Sequence, residues 1–412
     1  LDKAILDKIC KRIDTYQDEI IKLQTELTAR PALSPENGGD GEGKKAEYLQ
    51  FYLEKNLGSK VDFYNAPDAR VPGGFRPNLI AKVPGKSSAR TIWIMSHLDV
   101  VPPGELSNWT SDPWRVRVDN GKIYGRGTED NQQGIVSSLI AAKAFRDENI
   151  QPERTLGLMI VADEETGSKY GVGYLFEHHK DLFKKEDLII IPDSGVSDGS
   201  IIEVAEKSII WFKFRVIGKA THASTPEKGV NACKAGANLI VKLNNLYMMY
   251  NALDPVFDPP TSTFEPTKKE ANVPNVNTIP GEDIFYFDCR VLPNYDVDQF
   301  ITNVKRICNE VEGRHKVNVE VTTEHEVRAA PPTPTDAPVV KALERAIADV
   351  RGKRPKAIGI GGGTVAAFFR KASFNAAVWA TQDETLHGPN EYVKIQNIID
   401  DAKVFAHVAL QK

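Results

Sequence analysis

Thr91-Ile92-Trp93-Ile94-Met95-Ser96-His97-Leu98-Asp99 is a run of apolar, mostly large side chains that gives way abruptly to an imidazole and a carboxylate. Such a run reads as a strand buried on both faces of a sheet, with polar residues at its carboxyl end. Three further runs follow the same plan: Thr155 to Val161, Leu188 to Ile191 and Ala376 to Trp379. Each is followed by polar residues and then mostly by helical pattern, which predicts an α/β fold with helices flanking a sheet. Ligands of such sheets gather in the loops beyond the carboxyl ends of strands. The chemically suggestive residues fall there: His97 and Asp99 after the first run, Glu164 and Glu165 after the second, Asp193 after the third and His387 shortly after the fourth.

At 412 residues the chain exceeds the size at which one core usually stops growing, so two domains, or one with a large insertion, are expected. A net charge of −4 and a pI near 6.1 give no general attraction to nucleic acid or to acidic membrane surfaces. No apolar run approaches the roughly 20 residues that span a bilayer, and Leu1 to Arg30 is a charged amphipathic pattern rather than a signal sequence. The expectation is a cytoplasmic protein with no membrane partner. Cys10, Cys233, Cys289 and Cys308 are scattered, which suits reduced thiols. The chain begins with Leu1 rather than Met, read as trimming or processing.

Between about Lys207 and Arg328 the pattern changes. Strand (Ile209 to Ile217), helix (Asn231 to Asn244), a Pro-rich stretch (Pro255 to Pro280), strand (Ile284 to Val291), helix (Val297 to Glu312) and strand (Lys316 to Val321) follow one another. This predicts a small α+β domain, 207–328, inserted between 1–206 and 329–412, with Pro331 to Pro338 as the returning linker.

The individual motifs carry different weight. Strand alternation allows His97 and Asp99 to point into one cavity, where a carboxylate can orient an imidazole that ligates metal. Asp130, in Gly125-Arg126-Gly127-Thr128-Glu129-Asp130, sits near a helix start and reads equally as an N-cap or as a ligand. Asp163-Glu164-Glu165 places three carboxylates in succession, which repel one another unless solvated or neutralised by cations. Glu164 and Glu165 diverge and can divide the labour between protons and metal. Asp193 in Pro192-Asp193-Ser194-Gly195 is otherwise a turn residue, and His387 in a turn otherwise a loop residue. As ligands, Asp130, Glu165 and Asp193 bring three negative charges and a bridging hydroxide a fourth, which balances two divalent ions. Imidazole with carboxylate suits zinc, cobalt or manganese better than calcium or magnesium. Two such ions about 3.5 to 4 Å apart polarise a carbonyl and generate hydroxide at neutral pH.

In this order, SHLDVVP (96–102), GRGTED (125–130), DEETGS (163–168), PDSG (192–195), THAS (221–224), NTIPG (277–281), DCRVLP (288–293) and HGPNE (387–391) span nearly the whole chain. The sequence resembles the co-catalytic zinc aminoacylases and carboxypeptidases that include succinyl-diaminopimelate desuccinylase, acetylornithine deacetylase and glutamate carboxypeptidase. The resemblance implies a zinc-exopeptidase-like mixed sheet flanked by helices, with the inserted α+β domain serving as lid and dimerisation domain of a homodimer. It implies that His97 and Asp193 bind one metal ion, Glu165 and His387 the other, and that Asp130 bridges both. Asp99 would orient His97, and Glu164 would be the general base. His222 would reach the partner subunit's site and stabilise the oxyanion, while Asn277, Arg290 and the backbone of the glycine loop at Gly362 would contact substrate. For Arg290 the plain alternative is a strand salt bridge.

Two departures stand out. Many relatives continue the bridging Asp with Met-Lys-Gly, where this chain has Asn131-Gln132-Gln133-Gly134. Val365-Ala366 follows Gly361-Gly362-Gly363-Thr364, where relatives often place Asp and Arg. The glycine loop lacks the Gly-Lys-Ser/Thr ending of a phosphate cradle. His178, His179, His315, His325 and His407 match no motif. The expected activity is hydrolysis of an amide bond in a small N-acyl amino acid or dipeptide-like substrate with a free carboxylate. A catalytically silent scaffold on the same fold and an endopeptidase are the rivals.

Overall fold

The computed structural model describes all residues 1–412. The apolar runs do form the centre of a mixed sheet of eight strands. Its order is Val61–Phe63, Leu79–Val83, Arg154–Val161, Ser87–His97, Leu188–Gly195, Ala376–Ala380, Ile201–Glu206 and Lys356–Ile360. The four strands read from the sequence lie side by side and parallel, Arg154–Val161 beside Ser87–His97, then Leu188–Gly195, then Ala376–Ala380. Their carboxyl ends therefore share one edge. Leu79–Val83 and Ile201–Glu206 pair antiparallel on either side. The helix Gln132–Asp147 packs against both the Ser87–His97 strand and the helix Ile395–Ala409. Both helices are buried nearly all round, which is why Gln132–Asp147 shows little amphipathic contrast in its sequence. Lys3–Ile13 is different: Asp2 caps it, and only the stripe of Leu6, Ile9 and Ile13 is buried.

The chain forms two compact units, one of residues 1–204, 333–357 and 368–412, the other of 205–332 and 358–367. The second has its own antiparallel sheet, in the order Thr263–Lys269, Glu282–Val291, Ser208–Ile217 and Asn318–Val327. Phe212, Phe214, Phe285 and Phe287 alternate with outward polar residues and form its core with Leu239, Phe264 and Phe300. The edge strand Thr263–Lys269 lies within the Pro-rich stretch that sequence alone leaves irregular. Pro266 is tolerated there because the strand is at the edge, and the register shifts between Pro266 and Lys268.

A further element escapes the sequence reading. Arg117–Asp119 and Lys122–Tyr124 form a hairpin whose turn, Asn120-Gly121, has positive φ at both residues. Asn-Gly is the strongest short hairpin signal. Tyr392–Lys394 adds a third strand to it, bringing the segment after Tyr124 beside the segment before Tyr392. No helix of the chain is long and apolar enough to cross a membrane.

Asp401, fully buried, ties the helix Ile395–Ala409 to the loop leading towards His387. Its Oδ1 accepts from the Thr381 hydroxyl at 2.7 Å, and its Oδ2 from Gln133 Nε2 at 2.8 Å. Burial outweighs these bonds and pushes the carboxyl up from 3.8 to about 6. Between these values the folded protein holds a proton that the unfolded chain has released, so stability falls as pH rises through this window. Denaturant midpoints of wild type minus Asp401→Asn should decline between pH 4 and pH 6 and level off above it. A pH-independent difference would contradict the assignment.

Candidate metal centre

The strand Ser87–His97 ends at His97, whose ring is almost wholly buried. Nδ1 lies 3.0 Å from the Asp99 main-chain oxygen and 3.4 Å from the Asp99 carboxylate. Nδ1 thus faces that carbonyl, and Nε2 faces Asp130 Oδ1 at 3.0 Å and Asp193 Oδ1 at 3.2 Å. Strand alternation is not what joins His97 to Asp99, because Asp99 lies beyond the strand end. Its carboxylate mainly serves the next strand's loop, accepting the N–H groups of Glu164 and Glu165 at 3.0 Å each.

Asp130 is not a helix cap. The helix begins at Gln132, and the Asp130 carboxylate lies between two imidazoles, with Oδ2 3.1 Å from His387 Nε2. His387 Nε2 also lies 3.2 Å from Glu165 Oε2. The other Glu165 oxygen, Oε1, is buried with no hydrogen-bond partner. Ligand atoms of His97, Asp130 and Glu165, and of His97, Glu164 and Asp193, lie within 4.8 Å of one another in each set. The structure thus brings His97, Asp99, Asp130, Glu164, Glu165, Asp193 and His387 together.

Electrostatics within the cluster are strongly perturbed. Burial pushes the Glu164 carboxyl well above the usual range, and the charge of Asp193 adds to this. Burial also raises Glu165, against a hydrogen bond from His387. For Asp130 burial acts upward, but hydrogen bonds from His387 and His97 outweigh it and hold the carboxyl below its usual range. His387 is raised to about 10 by its bonds to Asp130 and Glu165. Burial pulls His97 down, but Asp193, Asp130 and Asp99 outweigh it and hold the imidazole well above its ordinary value.

Glu391 was quoted within a motif and given no role by the sequence, yet it organises the Asp130 loop. Fully buried, it accepts the N–H groups of Gly127 (2.9 Å), Glu129 (2.9 Å) and Asp130 (3.0 Å) and pairs with Arg126 at 2.6 Å. Arg126 in turn donates to the carbonyls of His387 and Gly388. Reciprocally, the Glu129 carboxylate accepts from Thr385 N at 2.6 Å and from its hydroxyl at 2.7 Å. The strand Tyr392–Lys394, added to the hairpin, brings these two distant loops together, and no local sequence signal marks that pairing. On the other side, buried Arg76 pairs with Glu42, whose Oε1 accepts the Asp163 N–H at 3.2 Å. Lys45, also buried, donates to the Leu98 carbonyl at 2.9 Å, and burial lowers its amine to about 8.

The other expected site residues belong to the second unit. His222 lies on a short two-stranded ribbon, Thr221–His222 with Thr278–Ile279, and Asn277 adjoins it, its carbonyl accepting the Ala223 N–H at 2.9 Å. The exposed His222 ring accepts the Ser224 N–H at Nδ1, leaving Nε2 as its N–H donor. Arg290 makes the salt bridge weighed as its alternative, with two bonds to Asp288, and a third bond to the Gly361 carbonyl braces the glycine loop that contains Gly362.

Crowded carboxylates with two imidazoles, no sulfur donor and an unpaired buried oxygen on Glu165 fit divalent cations. Comparison with known proteins agrees: the peptidase family M20/M25/M40 matches residues 93–411. The chain belongs to this family. It is a metal-dependent hydrolase acting on amide bonds. An uncharacterised metallohydrolase of Methanococcus maripaludis is 42% identical over 95% of the chain and 98% of its own length. A succinyl-diaminopimelate desuccinylase of Nautilia profundicola is 30% identical over 76% of the chain and 81% of its own length. The solved aminopeptidase PepT of Bacillus cereus shares the fold with a TM-score of 0.74 at 20% identity, covering 96% of this chain and 98% of its own.

Removal of the Glu391 side chain leaves a buried guanidinium and three N–H groups without their acceptor. Glu391→Ala is expected to cost about 3–5 kcal/mol of stability, measured by denaturant unfolding. A loss below about 1 kcal/mol would show that the loops hold together without it.

Proposed function

We propose that the cluster holds two divalent ions, zinc foremost with cobalt or manganese as substitutes, and hydrolyses the amide bond of a small N-acyl amino acid or dipeptide-like substrate. The observation that carries this is the Asp130 carboxylate between two imidazoles, each with a further carboxylate within 3.2 Å. His97 and Asp193 would hold one ion and Glu165 and His387 the other, with Asp130 shared. Ions bound there supply a polarised carbonyl and a more acidic water. Glu164 takes the proton of the attacking water and returns it to the leaving amine as the C–N bond breaks. Its main-chain N–H is held by the Asp99 carboxylate. Although Glu164 falls within ligand range of His97 and Asp193, we assign it to the proton because those two residues and Asp130 already supply three donors.

The second unit acts in this reading as lid and dimerisation domain of a homodimer in the cytoplasm. His222, through Nε2–H, stabilises the oxyanion in the partner subunit's site. Asn277, Arg290 and the Gly362 backbone recognise the substrate carboxylate, Arg290 exchanging Asp288 for it. The named desuccinylase relative supports an N-acyl amino acid.

Metal-stripped protein titrated with zinc, cobalt or manganese should regain hydrolysis of N-succinyl, N-acetyl or dipeptide substrates at about two equivalents. Recovery at one equivalent would reject the shared-ligand arrangement. Glu164→Gln should keep both ions and lose at least about 10²-fold in turnover, and near-normal turnover would remove Glu164 from the role of base. Mixing inactive Glu164→Gln with inactive His222→Ala tests the cross-subunit role. Exchange into hybrid dimers should restore about a quarter of wild-type activity, since half the dimers then carry one intact site of two. No restoration would place His222 in its own subunit's chemistry or outside it.

A further inference from the structure

Asn131 stands where many relatives resembling this chain carry Met. It occupies the N-cap position of the helix Gln132–Asp147, yet its side chain makes no capping bond. An asparagine in that position ordinarily accepts a helix N–H. Its carboxamide is turned instead towards two strands of the sheet. Ser87–His97 and Leu188–Gly195 pair only from Ile92 opposite Leu188 to Ile94 opposite Ile190, although both run further. Beyond the last paired residues, Asn131 Oδ1 accepts the His97 N–H at 3.4 Å, and Nδ2 donates to the Pro192 carbonyl at 2.6 Å. The amide stands in for the missing rung of the ladder. Nδ2 also donates to Asp193 Oδ1 at 2.7 Å, the same oxygen that lies 3.2 Å from His97 Nε2.

The surroundings hold the amide in place. Asn131 is 1% exposed. A Cβ at Gly134 would come within 2.8 Å of Asn131 Oδ1 and of Ser96 Oγ, and within 2.7 Å of Pro192, so the helix can approach this closely only with glycine at that position. Asn131 therefore meets both residues of one ligand pair, His97 through its main chain and Asp193 through its carboxylate. It touches neither Glu165 nor His387 in the bonds it makes.

We propose that Asn131 is a positioning residue for one of the two metal positions, setting the affinity of the His97–Asp193 position and not that of the Glu165–His387 position. This rests on the two-metal reading above. Hydrogen-bond partners of ligating carboxylates and imidazoles typically account for 10–100-fold in metal affinity. A methionine thioether could neither donate to Asp193 nor span from His97 to Pro192.

The test measures zinc affinity by chelator competition in two backgrounds, independently of turnover. His387→Ala leaves the His97–Asp193 position, and Asp193→Ala leaves the Glu165–His387 position. Asn131→Leu should weaken zinc about 10–100-fold in the first background and by less than about twofold in the second. Equal weakening in both, or none in either, overturns the proposal. Asn131→Ser, whose hydroxyl is too short to reach all three partners, gives the same comparison if the leucine variant lacks a wild-type circular dichroism spectrum. Failure of the unsubstituted protein to bind zinc would overturn the two-metal reading itself, and this inference with it, a result distinct from loss of site selectivity.

Discussion

Five carboxylates, those of Asp99, Asp130, Glu164, Glu165 and Asp193, converge at one edge of the large sheet, and their mutual repulsion is the constraint around which this unit is built. Burial raises the carboxyls of Glu164 and Glu165, and the neighbouring carboxylates Asp193 and Asp130 add to it. Folding can retain such a cluster only if positive charge or hydrogen-bond donors face it from every side. Two imidazoles lie within it, Lys45 sits beneath Leu98, and main-chain N–H groups hold Asp99 from outside. Divalent cations, in the proposed function, complete the balance.

The donors around the cluster come from segments remote in sequence. Glu391 gathers three N–H groups of the Asp130 loop, while Arg126 from that loop reaches back to the carbonyls around His387. Glu42 and Arg76 brace Asp163 from the opposite side. Asn131 fills the gap between two strands that no longer pair. Each brace is buried and bonded at both ends, so the clustered side chains inherit the rigidity of the sheet rather than the mobility of loops.

The second unit is built on other principles. Alternation of aromatic and polar residues on Ser208–Ile217 and Glu282–Val291 gives a sheet with one buried face, covered by the helices Ala232–Leu243 and Val297–His315. Two of its candidate substrate residues are exposed, His222 on a short ribbon and Asn277 at its end, while partly buried Arg290 braces the glycine loop. Exposed polar side chains of this kind are suited to meeting a small ligand, whereas the buried cluster of the first unit is suited to holding ions.

The four central strands of the large sheet were legible in the sequence, because a strand buried on both faces must be apolar throughout and the polar residues that follow it mark its carboxyl end. His97, Glu165 and Asp193 were legible as neighbours for that reason alone. Three things were not legible. Asp130 could be a cap or a ligand on local pattern, and only the fold shows that it caps no helix and lies between two imidazoles. Thr263–Lys269 was obscured by Pro266, which an edge strand accepts and a central one does not. Glu391 and Asn131 drew no role from the sequence, since their partners lie on strands and loops far away in the chain. Short-range pattern records which residues are buried; the distances that turn a buried acid into a brace, or an asparagine into a rung between strands, exist only once the tertiary fold has closed.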